Sequence, residues 1–185
     1  MHPHLESVLW TDDQISRRIS DLAAQISADF LACSPPPVFI GVATGAFLFL
    51  ADLVRKIDLP ITVDLIRAES YGSGTVSNEA PTISFGLKVD IKDRHVILVE
   101  DIVDTGHTLS RVSEHLKSKG ASSVSVCTLL DKPTRRKVNL QLVGDEKYYR
   151  GFECPDYFVV GYGLDFAELY RNLPYIGVLK SEHYE

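Results

Sequence analysis

Residues 94–108 read RHVILVEDIVDTGHT, an apolar run that passes into a cluster of polar side chains. The segment VILV at residues 96–99 is apolar at every position, which is typical of a strand buried on both faces of a parallel sheet. Glu100 and Asp101 follow directly, so two carboxylates are predicted at the carboxyl end of this strand. We expect both carboxylates to face solvent when no ligand is bound.

The next residues form a small polar turn ahead of a helical pattern: Asp104, Thr105, Gly106, His107 and Thr108. A helix N-terminus presents free backbone N–H groups and the positive end of a dipole, which favour an anion such as phosphate. Since acids can bind the 2- and 3-hydroxyls of a ribose, Glu100 and Asp101 together with this turn suit a ribose phosphate. The alternative is a buried strand whose polar exit only caps the next helix.

Helical and extended patterns alternate along the rest of the chain. A capping box at residues 11–14 begins an amphipathic helix that continues to Phe30, and a further helix is predicted at residues 46–57. The helix after the polar turn ends at Gly120. Strands are predicted at residues 38–42, 61–67, 83–89 and 123–130. This order predicts an α/β fold with a parallel-cored sheet and ligands at the carboxyl ends of its strands.

Composition limits the classes of function. The chain has 185 residues, 45% of them hydrophobic, which fits a single domain over residues 1–185. Its net charge of −6 argues against broad binding to nucleic acid or to an anionic membrane. No apolar run reaches the roughly 18 residues of a membrane span. We therefore expect no nucleic-acid and no membrane partner.

The cysteines and the N-terminus indicate a reducing compartment. The chain has an odd number of cysteines, namely Cys33, Cys127 and Cys154, and no two of them form a C-x-x-C pair. Neither a disulfide framework nor a zinc knuckle is therefore predicted. His2 and His4 lie in a terminus that we expect to be frayed. The terminus lacks the basic and apolar pattern of a targeting signal. A cytoplasmic location is the resulting expectation.

Two segments carry a family resemblance, VILVEDIVDTGHTL at residues 96–109 and GFECPDYFVVGYGLD at residues 151–165. The first resembles the phosphoribosyl pyrophosphate (PRPP) signature of type I phosphoribosyltransferases, and its VEDIVDTG form is most similar to the hypoxanthine-guanine phosphoribosyltransferases. The resemblance extends from about residue 37 to residue 179. It implies a parallel-cored twisted sheet flanked by helices, a small hood, a flexible active-site loop, a Mg²⁺ cofactor, and a homodimer or homotetramer.

The resemblance assigns two loops to the PRPP side of the site. Val42, Ala43, Thr44 and Gly45 match the loop that binds pyrophosphate. The mammalian pattern has a lysine in place of Ala43 and a glycine in place of Thr44, so a cationic contact from this loop is not implied. Ser70 and Tyr71 match the flexible loop that closes over the reaction centre and excludes water. The alternatives are a simple tight turn and the tip of a hairpin, respectively.

The remaining assignments concern the base, the metal and the reaction. The resemblance implies that Lys132 donates to a purine 6-oxo group, that Phe158 stacks on the base, and that the backbone of Val159 reads the base edge. It also implies that Asp165, with Glu100 and Asp101, binds Mg²⁺, and that Arg171 holds pyrophosphate. Asp104 is the candidate general base at purine N7. Without the resemblance, Lys132 and Arg171 would be solvated charges and Phe158 a core residue.

The predicted function is transfer of the phosphoribosyl group of PRPP to hypoxanthine or guanine, which gives IMP or GMP and pyrophosphate in purine salvage. Two alternatives stay open. One is a phosphoribosyltransferase for xanthine, adenine or orotate. The other is a nucleotide-sensing RNA-binding regulator, for which the only basic group is the short cluster of Lys132, Arg135, Arg136 and Lys137.

Overall fold

The computed structural model describes residues 1–69, 82–84 and 86–184. The elements in chain order are β1 (Leu5–Trp10), α1 (Asp12–Asp29), β2 (Val38–Ala43), α2 (Phe47–Val54), β3 (Thr62–Glu69), β4 (Thr82–Ser84), β5 (His95–Val103), α3 (His107–Ser118), β6 (Ser123–Asp131), β7 (Tyr148–Glu153), β8 (Val159–Val160) and β9 (Ile176–Leu179). Two short 3-10 turns, Pro133–Arg135 and Ser181–His183, complete the described elements.

Six of the strands form the main sheet, in the order β4-β3-β2-β5-β6-β7. Strands β3, β2, β5, β6 and β7 run parallel, and β4 pairs antiparallel with β3 at one edge. The predicted parallel-cored α/β sheet is therefore confirmed. β5 lies at its centre, so the exits of β2, β5 and β6 are next to one another at one end of the sheet.

The central strand is buried on both faces, as its apolar sequence predicts. Ile97 and Val99 pack in the core cluster that contains the apolar faces of α1 and α2. Val96 and Leu98 point the other way, into the cluster that contains the apolar face of α3. The helices thus lie on both sides of the sheet, because each side of β5 must be covered by an apolar helix face.

The structure confirms the predicted signals for the start of α1 and for the end of α3. Gln14 N–H donates to Thr11 Oγ1 at 3.3 Å and Thr11 N–H donates to Gln14 Oε1 at 2.9 Å, which is the predicted capping box. At the end of α3, Gly120 adopts a left-handed φ of +92° and its N–H donates to Lys117 O at 3.0 Å. A residue with a Cβ would be strained in that conformation, so glycine ends the helix there.

A second, three-stranded sheet in the order β1-β9-β8 forms the predicted hood. The expectation of a frayed N-terminus is wrong, because β1 pairs antiparallel with β9, with Leu5 opposite Leu179. His4 O accepts a hydrogen bond from Lys180 N–H at 3.0 Å, and His4 Nδ1 lies 2.8 Å from Tyr170 Oη. The chain therefore returns at its C-terminal end to pair with its first strand.

Some boundaries differ from the prediction. β5 extends through Val103, so Glu100 and Asp101 lie within the strand and not beyond it. Helix α2 is shorter than the predicted residues 46–57, and β4 is shorter than residues 83–89. Ser70 and Tyr71, predicted to belong to a closing loop, lie outside the described residues.

Candidate active site

The exits of β2, β5 and β6 bring the predicted PRPP and base residues to one end of the sheet. β2 leads into residues 43–46, β5 into residues 104–106, and β6 into the 3-10 turn Pro133–Arg135. Because parallel neighbours end at the same edge, these three loops surround a common space. The hood covers this space from the side of residues 156–171.

The loop after β2 is in close contact with the acid pair of β5. The Ala43–Thr44 peptide bond is cis, and Thr44 is exposed. A methyl group at position 45 would lie 2.0 Å from Asp101 Oδ2, so only glycine allows the loop to approach this carboxylate. On the other side, Gly163 of the hood has a φ of +98°, and a methyl group there would lie 2.2 Å from Gly45 O. The predicted pyrophosphate loop is thus held between β5 and the hood.

The acid pair is more buried than the sequence suggests. Glu100 is only 6% exposed, so the expectation that both carboxylates face solvent is wrong for Glu100. It lies inside β5, opposite Thr128 of β6. Burial and the charge of Asp101 raise the pKa of Glu100 well above its usual range. Burial also raises the pKa of Asp101, while a hydrogen bond from Ile102 N–H and the charge of Arg171 oppose the increase.

Two carboxylates in this environment require a compensating partner. Ionised acids that are buried side by side repel one another and lose hydration, unless hydroxyl donors or a cation lie against them. The hydroxyls of a ribose, or a divalent cation, would supply that compensation. The pair therefore has the electrostatic character of a binding site for ribose or metal.

The turn between β5 and α3 presents an open helix N-terminus. Gly106 precedes α3 with a φ of +87°, and none of the side chains that the structure describes accepts a hydrogen bond at this cap. Thr105 O accepts hydrogen bonds from Lys137 N–H at 2.9 Å and Val138 N–H at 3.0 Å. A methyl group at position 106 would lie 2.4 Å from Val138 O. The turn is thus fixed from behind, and its N–H groups are left for an anion, with His107 and Thr108 beside them.

A cavity of about 360 Å³ lies between the loops and the hood. Six of the predicted residues line it: Asp101, Asp104, Lys132, Phe158, Val159 and Asp165. Glu100, residues 42–45, residues 105–108 and Arg171 do not line this cavity. The structure therefore separates the predicted residues into a pocket and an adjoining group at the strand exits.

Lys132 is a buried residue and not a solvated charge. It is 7% exposed, and its Nζ donates to Tyr157 O at 2.7 Å and lies 3.8 Å from Asp156 Oδ1. Its backbone N–H donates to Val103 O at 2.9 Å, which ties the start of the 3-10 turn to the end of β5. The ammonium group is therefore directed at one wall of the pocket, where it can donate to a ligand carbonyl.

The aromatic wall of the pocket comes from the hood. Phe158 is 38% exposed, which excludes the alternative of a core phenylalanine. Tyr184 stacks on its ring with centroids 4.6 Å apart, and Phe166 meets it edge to face at 5.5 Å. Val159 is buried and pairs with Val178 in the hood. Such a supported ring can stack on a planar base.

Asp165 and Arg171, predicted to contact metal and pyrophosphate, are in contact with each other. Arg171 Nη2 lies 3.1 Å from Asp165 Oδ1, and Arg171 Nη1 donates to Gly163 O at 2.8 Å. Within residues 1–69, 82–84 and 86–184, no group of three or more His, Cys, Asp or Glu side chains could hold a metal. Mg²⁺ commonly binds one or two carboxylates together with substrate phosphates, so Asp165 and Asp101 are donors of the right kind.

Five residues that line the pocket were not identified from the sequence: Ile102, Arg135, Asp156, Tyr157 and Leu164. Ile102 lies within the signature, between Asp101 and Asp104, and this position in the sequence is the feature that could have identified it as a pocket residue. In the sequence, Arg135 belongs only to a basic cluster, but in the structure its Nε donates to Asp104 Oδ1 at 3.1 Å. No local sequence pattern indicates this contact, because it joins two separate loops.

Comparisons with known proteins agree with this geometry. A profile of the phosphoribosyl transferase domain matches residues 11–167. The chain is 42% identical over 183 residues to the hypoxanthine phosphoribosyltransferase of Haemophilus influenzae, covering 98% of this chain and 99% of that protein. It is 42% identical over 184 residues to the hypoxanthine-guanine phosphoribosyltransferase of Staphylococcus aureus, covering 100% and 99%.

The fold comparison agrees as well. A crystal structure of a hypoxanthine phosphoribosyltransferase from Staphylococcus aureus matches with a TM-score of 0.89 at 41% identity, covering 100% of this chain and 97% of that chain. The predicted fold and the predicted phosphoribosyltransferase activity are therefore confirmed. The chain belongs to the phosphoribosyltransferase family and, within it, to the hypoxanthine and hypoxanthine-guanine phosphoribosyltransferases.

Proposed function

We propose that this chain transfers the 5-phosphoribosyl group of PRPP to N9 of hypoxanthine or guanine, releases pyrophosphate, and forms IMP or GMP in purine salvage. The observation that carries the proposal is the pocket, in which the Lys132 ammonium, the Asp104 carboxylate and the Phe158 ring line one cavity next to Asp101. A 6-oxopurine offers matching groups, namely a carbonyl, an N–H and a flat face. The names of the relatives support the same substrates.

The strand exits would hold PRPP. Glu100 and Asp101 would accept hydrogen bonds from the ribose hydroxyls, and the N–H groups at the start of α3 would bind the 5-phosphate. Residues 42–45 and Arg171 would contact the pyrophosphate. Mg²⁺ at Asp165 and the acid pair would neutralise the negative charge of the leaving pyrophosphate. This arrangement fixes the ribose C1 atom beside the base pocket.

The base pocket would bind and deprotonate the purine. Lys132 would donate to O6, Phe158 would stack on the ring, and the Val159 backbone would contact the base edge. The bond from C1 to the pyrophosphate oxygen breaks, the bond from N9 to C1 forms, and the N7 proton passes to Asp104. Positioning and charge stabilise the cation-like transition state. The reaction needs no covalent nucleophile. The nearby Cys154 thiol is also unsuited to that role, because burial raises its pKa to about 11.

The RNA-binding alternative loses its main support. Of the basic cluster, Lys132 contacts Tyr157 O and Asp156, Arg135 contacts Asp104, and Arg136 pairs with Asp131. Three of the four cations in the cluster are already matched by carboxylates or a carbonyl, which leaves Lys137 and little further positive charge for a phosphate backbone.

We further propose a single domain that assembles into a homodimer or homotetramer in the cytoplasm. Phe47 of α2 and Val63 and Leu65 of β3 are large apolar side chains that are 40%, 43% and 48% exposed, and exposed apolar side chains of this size suit a subunit interface. The three cysteines are free thiols, which fits a reducing compartment. No described helix has the length and apolar character needed to cross a membrane.

A panel of bases tests the proposed function. The purified protein is mixed with PRPP, Mg²⁺ and one of hypoxanthine, guanine, xanthine, adenine or orotate, and nucleotide and pyrophosphate are measured together. We expect equal amounts of nucleotide and pyrophosphate with hypoxanthine or guanine. Turnover only with adenine or orotate would reassign the base, and no turnover with any of the five would contradict the proposal.

A further inference from the structure

Four charged side chains form a chain along one wall of the base pocket. Arg135 Nε lies 3.1 Å from Asp104 Oδ1 and 3.7 Å from Asp156 Oδ1. The same Asp156 oxygen lies 3.8 Å from Lys132 Nζ. All four side chains line the cavity of about 360 Å³. Arg135 thus connects the proposed general base with the residue proposed to bind the 6-oxo group.

One short turn carries both cations. Lys132 precedes the 3-10 turn Pro133–Arg135, and Arg135 N–H donates to Lys132 O at 3.1 Å. In a 3-10 turn, side chains three residues apart lie on the same side, so Lys132 and Arg135 both face the pocket. Since Lys132 N–H donates to Val103 O at 2.9 Å, the turn is anchored one residue before Asp104. The backbone therefore fixes the spacing between the two cations and the carboxylate.

The proposed chemistry depends on that spacing. O6 and N7 are neighbours on one edge of a purine, so the donor to O6 and the acceptor at N7 must be held side by side. The Asp104 side chain is 41% exposed and would rotate in solvent if nothing held it. Among the described residues, Arg135 is the cation that contacts its carboxylate within 4.0 Å.

We propose that Arg135 is a positioning residue, which holds the Asp104 carboxylate directed at purine N7. The inference rests on the proposed function and adds a residue to it. Arg135 does not need to touch the substrate for this role. Its guanidinium acts through Asp104, and Asp156 fixes the guanidinium relative to Lys132.

The alternative is that the contact between Arg135 and Asp104 is an ordinary surface ion pair. Because both side chains are partly exposed, replacement of Arg135 can distinguish this alternative from a positioning role. The side chains of Arg135 and Asp104 are 49% and 41% exposed, and ion pairs this exposed contribute little to folding stability. Replacement of Arg135 should therefore leave thermal unfolding unchanged, whatever it does to the reaction. The hydrogen bond to Asp104 and its charge raise the pKa of Arg135, so this residue stays cationic across the pH range of an assay.

Three other titratable groups lie near Asp104. Asp156 and Lys132 belong to the same chain of charges, and the buried Cys154 thiol also lies within electrostatic range of Asp104. Burial keeps this thiol neutral, with its pKa raised to about 11.

The test is single-turnover formation of IMP from pre-bound PRPP, Mg²⁺ and hypoxanthine, measured from about pH 5 to pH 9. Arg135→Ala should slow the step roughly tenfold near neutral pH, a part of the usual contribution of a general base. Arg135→Lys should restore most of the rate, since it returns the charge. Arg55→Ala, which removes an exposed guanidinium 3.4 Å from Asp52, is the matched control.

A double replacement separates positioning from a general loss of activity. In an Asp104→Asn background, Arg135→Ala should cause no further slowing, because the carboxylate it positions is gone. The inference is overturned if Arg135→Ala keeps the parental rate, or if it slows the Asp104→Asn variant as much as the parent. Absence of IMP with the parent protein would instead contradict the proposed function itself.

Discussion

The PRPP side and the base side of the site are built in different ways. The PRPP side is dominated by one continuous segment, β5 and α3 with the turn between them, so the acid pair and the helix N-terminus are local neighbours. The base pocket collects residues from three separate stretches, around Asp104, Lys132 and Phe158. The first combines the acid pair with backbone N–H groups and closely packed glycines, and the second depends on side chains from separate loops.

This difference predicts different responses to mutation. A methyl group at position 45 would lie 2.0 Å from Asp101 Oδ2, and one at position 106 would lie 2.4 Å from Val138 O. The PRPP side therefore tolerates little change at these two glycines. In the base pocket, Lys132, Asp104 and Arg135 act through charges whose removal leaves the backbone intact. We expect changes there to alter rate and base preference while PRPP binding is kept.

Replacement of the proposed general base has the largest expected effect. Asp104→Asn keeps the size and hydrogen bonding of the side chain but cannot accept the N7 proton, so IMP formation should slow by about 10² to 10⁴. Single-turnover rates should be measured, because release of product can hide a slow chemical step. A variant that forms IMP as fast as the parent across pH would show that another group carries the proton.

Removal of the base-reading lysine has a smaller effect and changes preference. Lys132→Ala should lower kcat/KM for hypoxanthine and guanine roughly tenfold to a hundredfold, because a buried donor to O6 is lost. Discrimination against adenine should shrink, since the ammonium no longer opposes its amino group. The Lys147→Ala variant, which removes an exposed lysine 2.9 Å from Asp29, is the control. An unchanged ratio of hypoxanthine to adenine turnover would rule against this role.

The same division explains what the sequence could predict. The strand at residues 96–99, the turn at Gly106 and the helix after it depend on neighbours in the chain, and all three were predicted from local patterns. The capping box at Thr11 was predicted for the same reason. Local signals are sufficient where backbone conformation is set by adjacent residues.

Features that depend on distant contacts were missed. Glu100 is buried in a strand that lies between β2 and β6, and Lys132 is buried with its Nζ bonded to Tyr157 O, 25 positions along the chain. The pair of Arg135 and Asp104 joins residues 31 positions apart. β1 was missed because its partner, β9, comes from the other end of the chain. No local pattern encodes such pairings.

The burial of Glu100 predicts a gain in stability when its charge is removed. Its raised pKa means that the folded protein disfavours the ionised form, so stability falls as pH rises above the unfolded value of about 4.5. At pH 8, Glu100→Gln should raise Tm by about 2–4 °C, with little change near pH 4. Thermal unfolding at both values measures this, with exposed Glu114→Gln as the control. A lower Tm for Glu100→Gln at pH 8 would contradict the account.

We expect the β5 segment to bind PRPP independently of the base pocket. The most direct measurement is calorimetric titration of PRPP with Mg²⁺ into the parent, into Glu100→Ala/Asp101→Ala, and into Lys132→Ala, after cooperative unfolding of each has been verified. We predict that the double variant folds but loses measurable PRPP binding, while Lys132→Ala binds PRPP as the parent does. Parental PRPP affinity in the double variant, or its loss in Lys132→Ala, would contradict this division of the site.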